Sequence, residues 1–243
     1  MQRREFLTNA AAMGIVFMAS KASAQQAISA NDKKQESAKN KLAPPGKARI
    51  PVAVTVSEGV TVIDFAGPWE VFQDVMISGR GEGMEQMPFE LFTVSEKTEP
   101  LRGSAGLQIV PDYTFANAPS PKVVVVPAQR GSAALHEWLR KVTPAADVVM
   151  SVCTGAFQLA KAGLLSGKSA TTHHDYFDRF AQQHPDVDLK RGLRFVEVEK
   201  ISTSGGLTSG IDLALRVVER YFGREVAQTT AVYMEYQSKD WMI

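Results

Sequence analysis

The sequence predicts an α/β fold: a mostly parallel sheet with helices on both of its faces. Three observations predict it. From about residue 47 onward, short β-branched runs alternate with longer helical stretches. Two of the runs, "KVVVVP" (122–127) and "DVVMSV" (147–152), are apolar without alternation, as strands buried on both faces are. A helical pattern follows the second run at once, and the chain's single cysteine, Cys153, stands at the junction.

The elements follow in order. "RIPVAVTVS" (49–57) is β-branched, stops at Glu58-Gly59 and reads as a strand. "TVIDFAGPWEVFQDVMI" (61–77) starts extended and turns helical near Pro68, a residue tolerated in a first helical turn. "FELFTVS" (89–95) is a strand, and "GLQIVPDYTF" (106–115) a further β excursion. Residues 132–142 form a helix between the two apolar strands. "SATTHH" (169–174) is strand-like and "DYFDRFAQQH" (175–184) helical. "RFVEVEKISTS" (194–204) suggests a strand pair. "GIDLALRVVERYF" (210–222) collects its apolar residues on one face, as an amphipathic helix does. A last helix covers 224–236.

The first 24 residues stand apart. Arg3 and Arg4 precede Phe6-Leu7, a short apolar run and the small-residue step Ala22-Ser23-Ala24. This reads as a secretory signal too short to span a bilayer, and the paired arginines resemble a twin-arginine export signal. A plain basic N-terminus is the alternative. Residues 25–46 are polar, end in Pro44-Pro45-Gly46 and read as a flexible linker, which leaves 47–243 as one domain. The expected location of the mature chain is the periplasm. Loss of residues 1–24 removes three basic residues and one acidic residue and takes the formal charge from +1 to −1. Such a balance gives no electrostatic case for nucleic acid or for an anionic membrane. Ligands of an α/β sheet gather beyond its carboxyl ends, so the expected partner is a small-molecule substrate.

Cys153 cannot form an internal disulfide, and in an oxidising compartment a lone thiol is buried, paired between chains or useful. A strand turning sharply into a helix lifts one side chain above the sheet as a nucleophile elbow. Placement at a helix N-terminus favours an anion and can lower the thiol pKa from its usual value of about 8.5. A buried structural cysteine is the competing reading.

The stretch "SVCTGAFQLAKAGLLSGKSATTHH" resembles the nucleophile region of the DJ-1/PfpI superfamily, most nearly its isonitrile hydratases and the ligand-binding halves of some AraC-type regulators. "VIDFAGPWEVF" (62–72), "VVVVP" (123–127) and "ISTSGGLTSGIDLALRVVERYFG" (201–223) agree with it, so the resemblance spans nearly all of 48–236. It implies a flavodoxin-like, doubly wound sheet, a homodimer, and chemistry with no cofactor; no metal site is expected from the residues, since Cys153 is the only thiol and no i,i+4 histidine or carboxylate cluster supports one. It matches Cys153 to the family nucleophile, Asp64 to the acidic residue that contacts it, and Thr154 to the residue after the nucleophile. Asp64 would relay protons while the thiolate attacks an isonitrile carbon; its competing reading is an N-cap or turn residue.

The chain departs from the hydratases after "VVVVP". Their Pro-Gly-Gly type loop is Pro127-Ala128-Gln129-Arg130-Gly131 here. The changed loop is expected to present Gln129 or Arg130 to the site, with Gly131 beside them, and Arg130 would favour a substrate with a carboxylate or phosphate. A solvated loop residue is the plainer reading of Arg130. His173 matches a hydratase histidine, and His174 replaces an aromatic residue. On a strand the two would face opposite ways, so at most one would approach Cys153, and a structural role for both stays open. Gly206, in the Gly205-Gly206 turn, can pass close to a ligand, but the turn lacks a dinucleotide-site context. Two readings compete with the hydratase: a periplasmic small-molecule binding module, and a redox or carbonyl-stress protein.

Overall fold

The apolar runs lie side by side in the computed structural model, which describes residues 41–242. The strands in chain order are β1 (Ile50–Thr55), β2 (Phe89–Ser95), β3 (Leu101–Arg102), β4 (Gln108–Ile109), β5 (Tyr113–Thr114), β6 (Val123–Val126), β7 (Val148–Ser151), β8 (Ser169–Ala170), β9 (Asp188–Leu189), β10 (Phe195–Val198) and β11 (Ile201–Ser204). Seven of them make one sheet in the order β10-β11-β7-β6-β1-β2-β5. Every neighbouring pair is parallel except the hairpin β10–β11. The helices are α1 (Val62–Gln73), α2 (Ala133–Val142), α3 (Ala156–Lys161), α4 (Phe177–Gln183), α5 (Ser209–Phe222) and α6 (Arg224–Tyr233).

The unbroken valines of β6 serve two cores at once. Val123 and Val125 pack with α1, α5 and α6 on one face. Val124 and Val126 pack with α2, α3 and α4 on the other. All four are fully buried, and this is why neither apolar strand alternates. The doubly wound α/β sheet expected from the sequence is the observed fold.

Three local expectations differ from the structure. The helix around Pro68 begins six residues earlier, at Val62. Pro68 lies inside it and leaves the Asp64 carbonyl without its usual donor. Close packing on α5 offsets this. A Cβ on Gly67 would stand 2.9 Å from Ile211 Cγ1, and one on Gly210 would stand 3.3 Å from Pro68 Cγ. Next, the helix after β7 is short: a 3-10 turn at Cys153–Gly155 leads into the six residues of α3. Last, only Ser169 and Ala170 of "SATTHH" are in a strand. The proposed signal segment and most of the linker lie outside the described residues. Among the described residues no helix is long and apolar enough to cross a membrane.

One ionic cluster is buried between β10 and α5. Glu197 accepts from Arg216 at 2.9 Å and from Arg220 at 3.2 Å, and all three side chains are almost fully covered. Glu219 joins Arg216 at 3.2 Å and Arg224 at 2.6 Å. Removing one partner of a buried ion pair strands the other's charge, at a cost of about 3–5 kcal/mol. Glu197→Ala is therefore expected to lower unfolding free energy by about 3 kcal/mol in a denaturant titration; a loss below about 1 kcal/mol would show the cluster to be solvated.

Candidate functional site

The site is built where four strands end. Val152 continues β7 in an extended conformation, and Cys153 then turns to φ +58°. A left-handed torsion costs a residue with a side chain about 1–2 kcal/mol, so its surroundings must hold it. The Cys153 N–H donates to the Gly205 carbonyl at 2.8 Å, beyond β11. The Cys153 carbonyl accepts from Thr172 Oγ1 at 2.8 Å. Gly155 completes the turn beneath the Val126 carbonyl at the end of β6, where any Cβ would overlap that oxygen.

Asp64 comes from the first turn of α1. It is not the N-cap; Thr61 holds that position. Its carboxyl instead turns across the strand ends, and Oδ2 accepts the Ala128 N–H at 3.2 Å. The Cys153 thiol and the Leu207 N–H also face the carboxyl, although Oδ1 closes no regular hydrogen bond. Asp64 is fully buried. Loss of water pushes its pKa up to about 6, against the lowering effect of Ala128, Cys153 and Leu207.

Cys153 is 7% exposed, and its thiol is pushed up to about 12. Burial is the main cause, and the Asp64 charge adds to it. The N–H groups of Thr154 and Leu207 face the sulfur and pull the other way without prevailing. The expected exposed, low-pKa thiolate is thus replaced by a covered thiol beside a carboxylate. The reason is physical: burial beside the Asp64 carboxylate outweighs the two N–H groups that face the sulfur.

Cys153, Asp64 and the Thr154 backbone therefore come together, and the other expected site residues do not join them. The Gln129 side chain turns to the end of β1, where Nε2 donates to Thr55 Oγ1 at 2.6 Å. Arg130 is exposed, and with Gln129 and Gly131 it lines a cavity of about 440 Å³ that Cys153 does not line. Gly131 leaves room for Gln158, whose Nε2 donates to the Gln129 carbonyl at 3.2 Å. His173 and His174 do not point to opposite faces. They lie beyond β8, with their rings stacked 4.4 Å apart. His173 packs over Gly206, where a Cβ would meet the ring. Both line a separate cavity of about 360 Å³ with Arg194 and Leu207.

His173, His174 and Asp175 bring potential metal-ligand atoms within 4.8 Å of one another. Asp175 already orients both rings. Its N–H donates to His173 Nδ1 at 3.2 Å, and its Oδ1 is 3.1 Å from His174 Nε2. Sequence reasoning missed Thr172 and Leu207, which act through a second-line hydroxyl and a backbone N–H. The glycine pair at 205–206 was the available signal, since it marks the tight turn that carries Leu207 back at φ +52°.

A parallel α/β sheet that lifts one cysteine at positive φ beside a buried carboxyl defines a nucleophile-elbow protein. The chain belongs to the DJ-1/PfpI family, whose model matches residues 51–220. It is 33% identical over 184 residues to the isonitrile hydratase of Pseudomonas putida, which covers 73% of this chain and 74% of that enzyme. It is 33% identical over 101 residues to the HTH-type transcriptional regulator CdhR of Pseudomonas aeruginosa, 42% of this chain and 30% of the regulator. A solved ThiJ/PfpI family protein from Pseudomonas syringae superposes with a TM-score of 0.69 at 26% identity, over 80% of this chain and 78% of that one.

Two outcomes follow from the geometry. Gly155→Ala should lower the melting temperature sharply, because the new methyl group displaces the Val126 carbonyl; an unchanged melting curve would contradict the turn. The Asp64 pKa is raised on folding, so the folded state gains from the protonated form below about pH 4, and that gain is lost as pH rises through about 6. Asp64→Asn should then stabilise the protein above pH 6, by on the order of 2–3 kcal/mol, and the difference should vanish near pH 4. Denaturant titrations at pH 4 and 8 measure both ends.

Proposed function

We propose that this protein is a cofactor-independent hydratase that adds water to an isonitrile and releases an N-formamide. The observation that carries the reading is the buried Asp64 carboxyl facing the Cys153 thiol. A thiol pushed up to about 12 is a poor source of free thiolate at neutral pH. That is a handicap for attack on an ester or amide. It is no handicap for an isonitrile, because the terminal carbon accepts the thiol proton in the step that forms the C–S bond.

The sequence of steps balances. The Cys153 proton passes to the isonitrile carbon, directly or through Asp64, and sulfur bonds to the same carbon as a thioimidate. Asp64, ionised above pH 6, then takes a proton from water as the water oxygen adds to that carbon. Asp64 passes that proton to the nitrogen, the C–S bond breaks, the hydroxyl proton of the adduct goes to the departing sulfur to restore the thiol, and the N-formamide is released. The similarity to the isonitrile hydratase supports the reading.

The covered sulfur also favours a second reading, a small-molecule binding module without turnover. The similarity to a transcriptional regulator agrees with it.

Formamide release from a simple alkyl isonitrile separates the two. Cys153→Ala should abolish it, and Asp64→Asn should reduce kcat at least 100-fold. In the wild type kcat/KM should rise with pH to a plateau above about 6, as Asp64 loses its proton. Iodoacetamide should alkylate the wild-type thiol slowly from pH 6 to 9, and Asp64→Asn should speed the reaction by removing the charge that raises the thiol. No formamide from the wild type, or equal alkylation of both proteins, would remove the support for the hydratase.

A further inference from the structure

The turn at 205–208 carries two of the backbone groups that shape the site. The Gly205 carbonyl accepts the Cys153 N–H at 2.8 Å. The Leu207 N–H faces both the sulfur and the Asp64 carboxyl. Leu207 is in the left-handed region at φ +52°, and its side chain is exposed. Packing of that side chain therefore does little to fix the turn, and its anchors lie elsewhere in the chain.

Arg194, just before β10, holds the turn at both ends. Its carbonyl accepts the Gly205 N–H at 2.9 Å. Its Nη2 donates to Thr208 Oγ1 at 3.4 Å. The guanidinium is fixed in turn by Asp212 of α5: Nε donates to Oδ2 at 2.8 Å, and Nη2 meets the same oxygen. Asp212 is fully buried, and a carboxylate out of water needs such a partner. The first N–H groups of α5 bond to the carbonyls of 206–208. Turn and helix thus form one unit, and the Arg194–Asp212 contact ties that unit to β10.

The C-terminal segment completes the arrangement. Ser238 Oγ donates to Asp212 Oδ1 at 2.9 Å and accepts the Asp240 N–H at 3.2 Å. Tyr236 OH accepts from Arg194 Nη2 at 3.5 Å and donates to the Thr208 carbonyl at 3.4 Å. Trp241 is fully buried and donates from Nε1 to the Ser238 carbonyl at 3.1 Å, which seats the segment.

We infer that Arg194 is a positioning residue for the Cys153–Asp64 pair, and that Asp212 and the C-terminal segment 236–242 hold it in place. It touches no reacting atom. It acts through the backbone of 205–208, by setting where the Gly205 carbonyl and the Leu207 N–H stand. The role concerns the thiol and carboxyl themselves and does not depend on which substrate they act on.

The Leu207 N–H lowers the Asp64 pKa, so a displaced turn must raise it further. Carbon-13 NMR of the aspartate carboxyls in the full chain reads the Asp64 midpoint, with Asp64→Asn identifying the resonance. No substrate is added, so the outcome is separate from formamide release. Arg194→Met removes the fork. Arg194→Lys keeps a charge beside Asp212 but cannot bond Asp212 and Thr208 together as the planar fork does. Both should raise the Asp64 midpoint by about half a pH unit or more. Arg191→Met, which removes an exposed cation paired with Asp178, should leave the midpoint in place. Should Arg194→Met fail to fold, Arg194→Lys decides; should both fail, Ser238→Ala decides in their stead, with a smaller rise expected. An unchanged midpoint in the deciding variants would show that the turn stands without Arg194. A wild-type midpoint in Arg194→Lys would reduce Arg194 to a countercharge for Asp212, and an equal rise in Arg191→Met would show a general effect of charge. Each of the three would overturn the assignment.

Discussion

The carbonyl of Val126 occupies the space that a side chain on residue 155 would need, and the rest of the site is arranged around that contact. With glycine at 155 the chain can fold back under β6 directly after β7. Cys153 is then driven to φ +58°, and its sulfur is delivered to the point where Asp64, Thr154 and Leu207 converge. The strain is held by bonds to both peptide groups of the cysteine, one from beyond β11 and one from Thr172. No single element supplies the geometry. It exists because parallel strands in register end at the same level and their loops meet.

Electrostatics then narrows the chemistry. Burial raises the carboxyl and the thiol together, and the charge of the first raises the second further. Near neutral pH, burial of the thiol and the neighbouring carboxylate charge both act to keep a proton on sulfur. Such a pair suits a substrate that takes a proton and a nucleophile at one atom. It suits peroxide oxidation poorly, because that reaction also begins from the thiolate.

The fold was legible because its signals are long and repeated. Unbroken valines at 123–126 and the apolar stripe of 210–222 report burial directly, and they bear on residues that stay near their sequence neighbours. Cys153 and Asp64 were legible through the motifs around them. What escaped depended on neighbours distant in sequence. The helix start at Val62 has its partners far along the chain, with the Thr61 N–H donating to the Ala128 carbonyl and the Val62 N–H to Ser104 Oγ. The thiol pKa depends on burial by several elements at once, whereas the local strand-to-helix pattern suggested the opposite sign. The histidines at 173 and 174 looked like strand residues, and only the early end of β8 lets their rings stack. Backbone donors such as Leu207 N–H leave no trace in residue identity.

The chain carries one thiol, and folding closes it off. Thiol reagents therefore read the opening of the elbow itself. When reclosing outpaces modification, the labelling rate relative to a short cysteine peptide gives the opening equilibrium; when modification is faster, it gives the opening rate. The same residue that would carry the chemistry is thus a built-in clock for the motions that expose it, with no second cysteine to blur the signal.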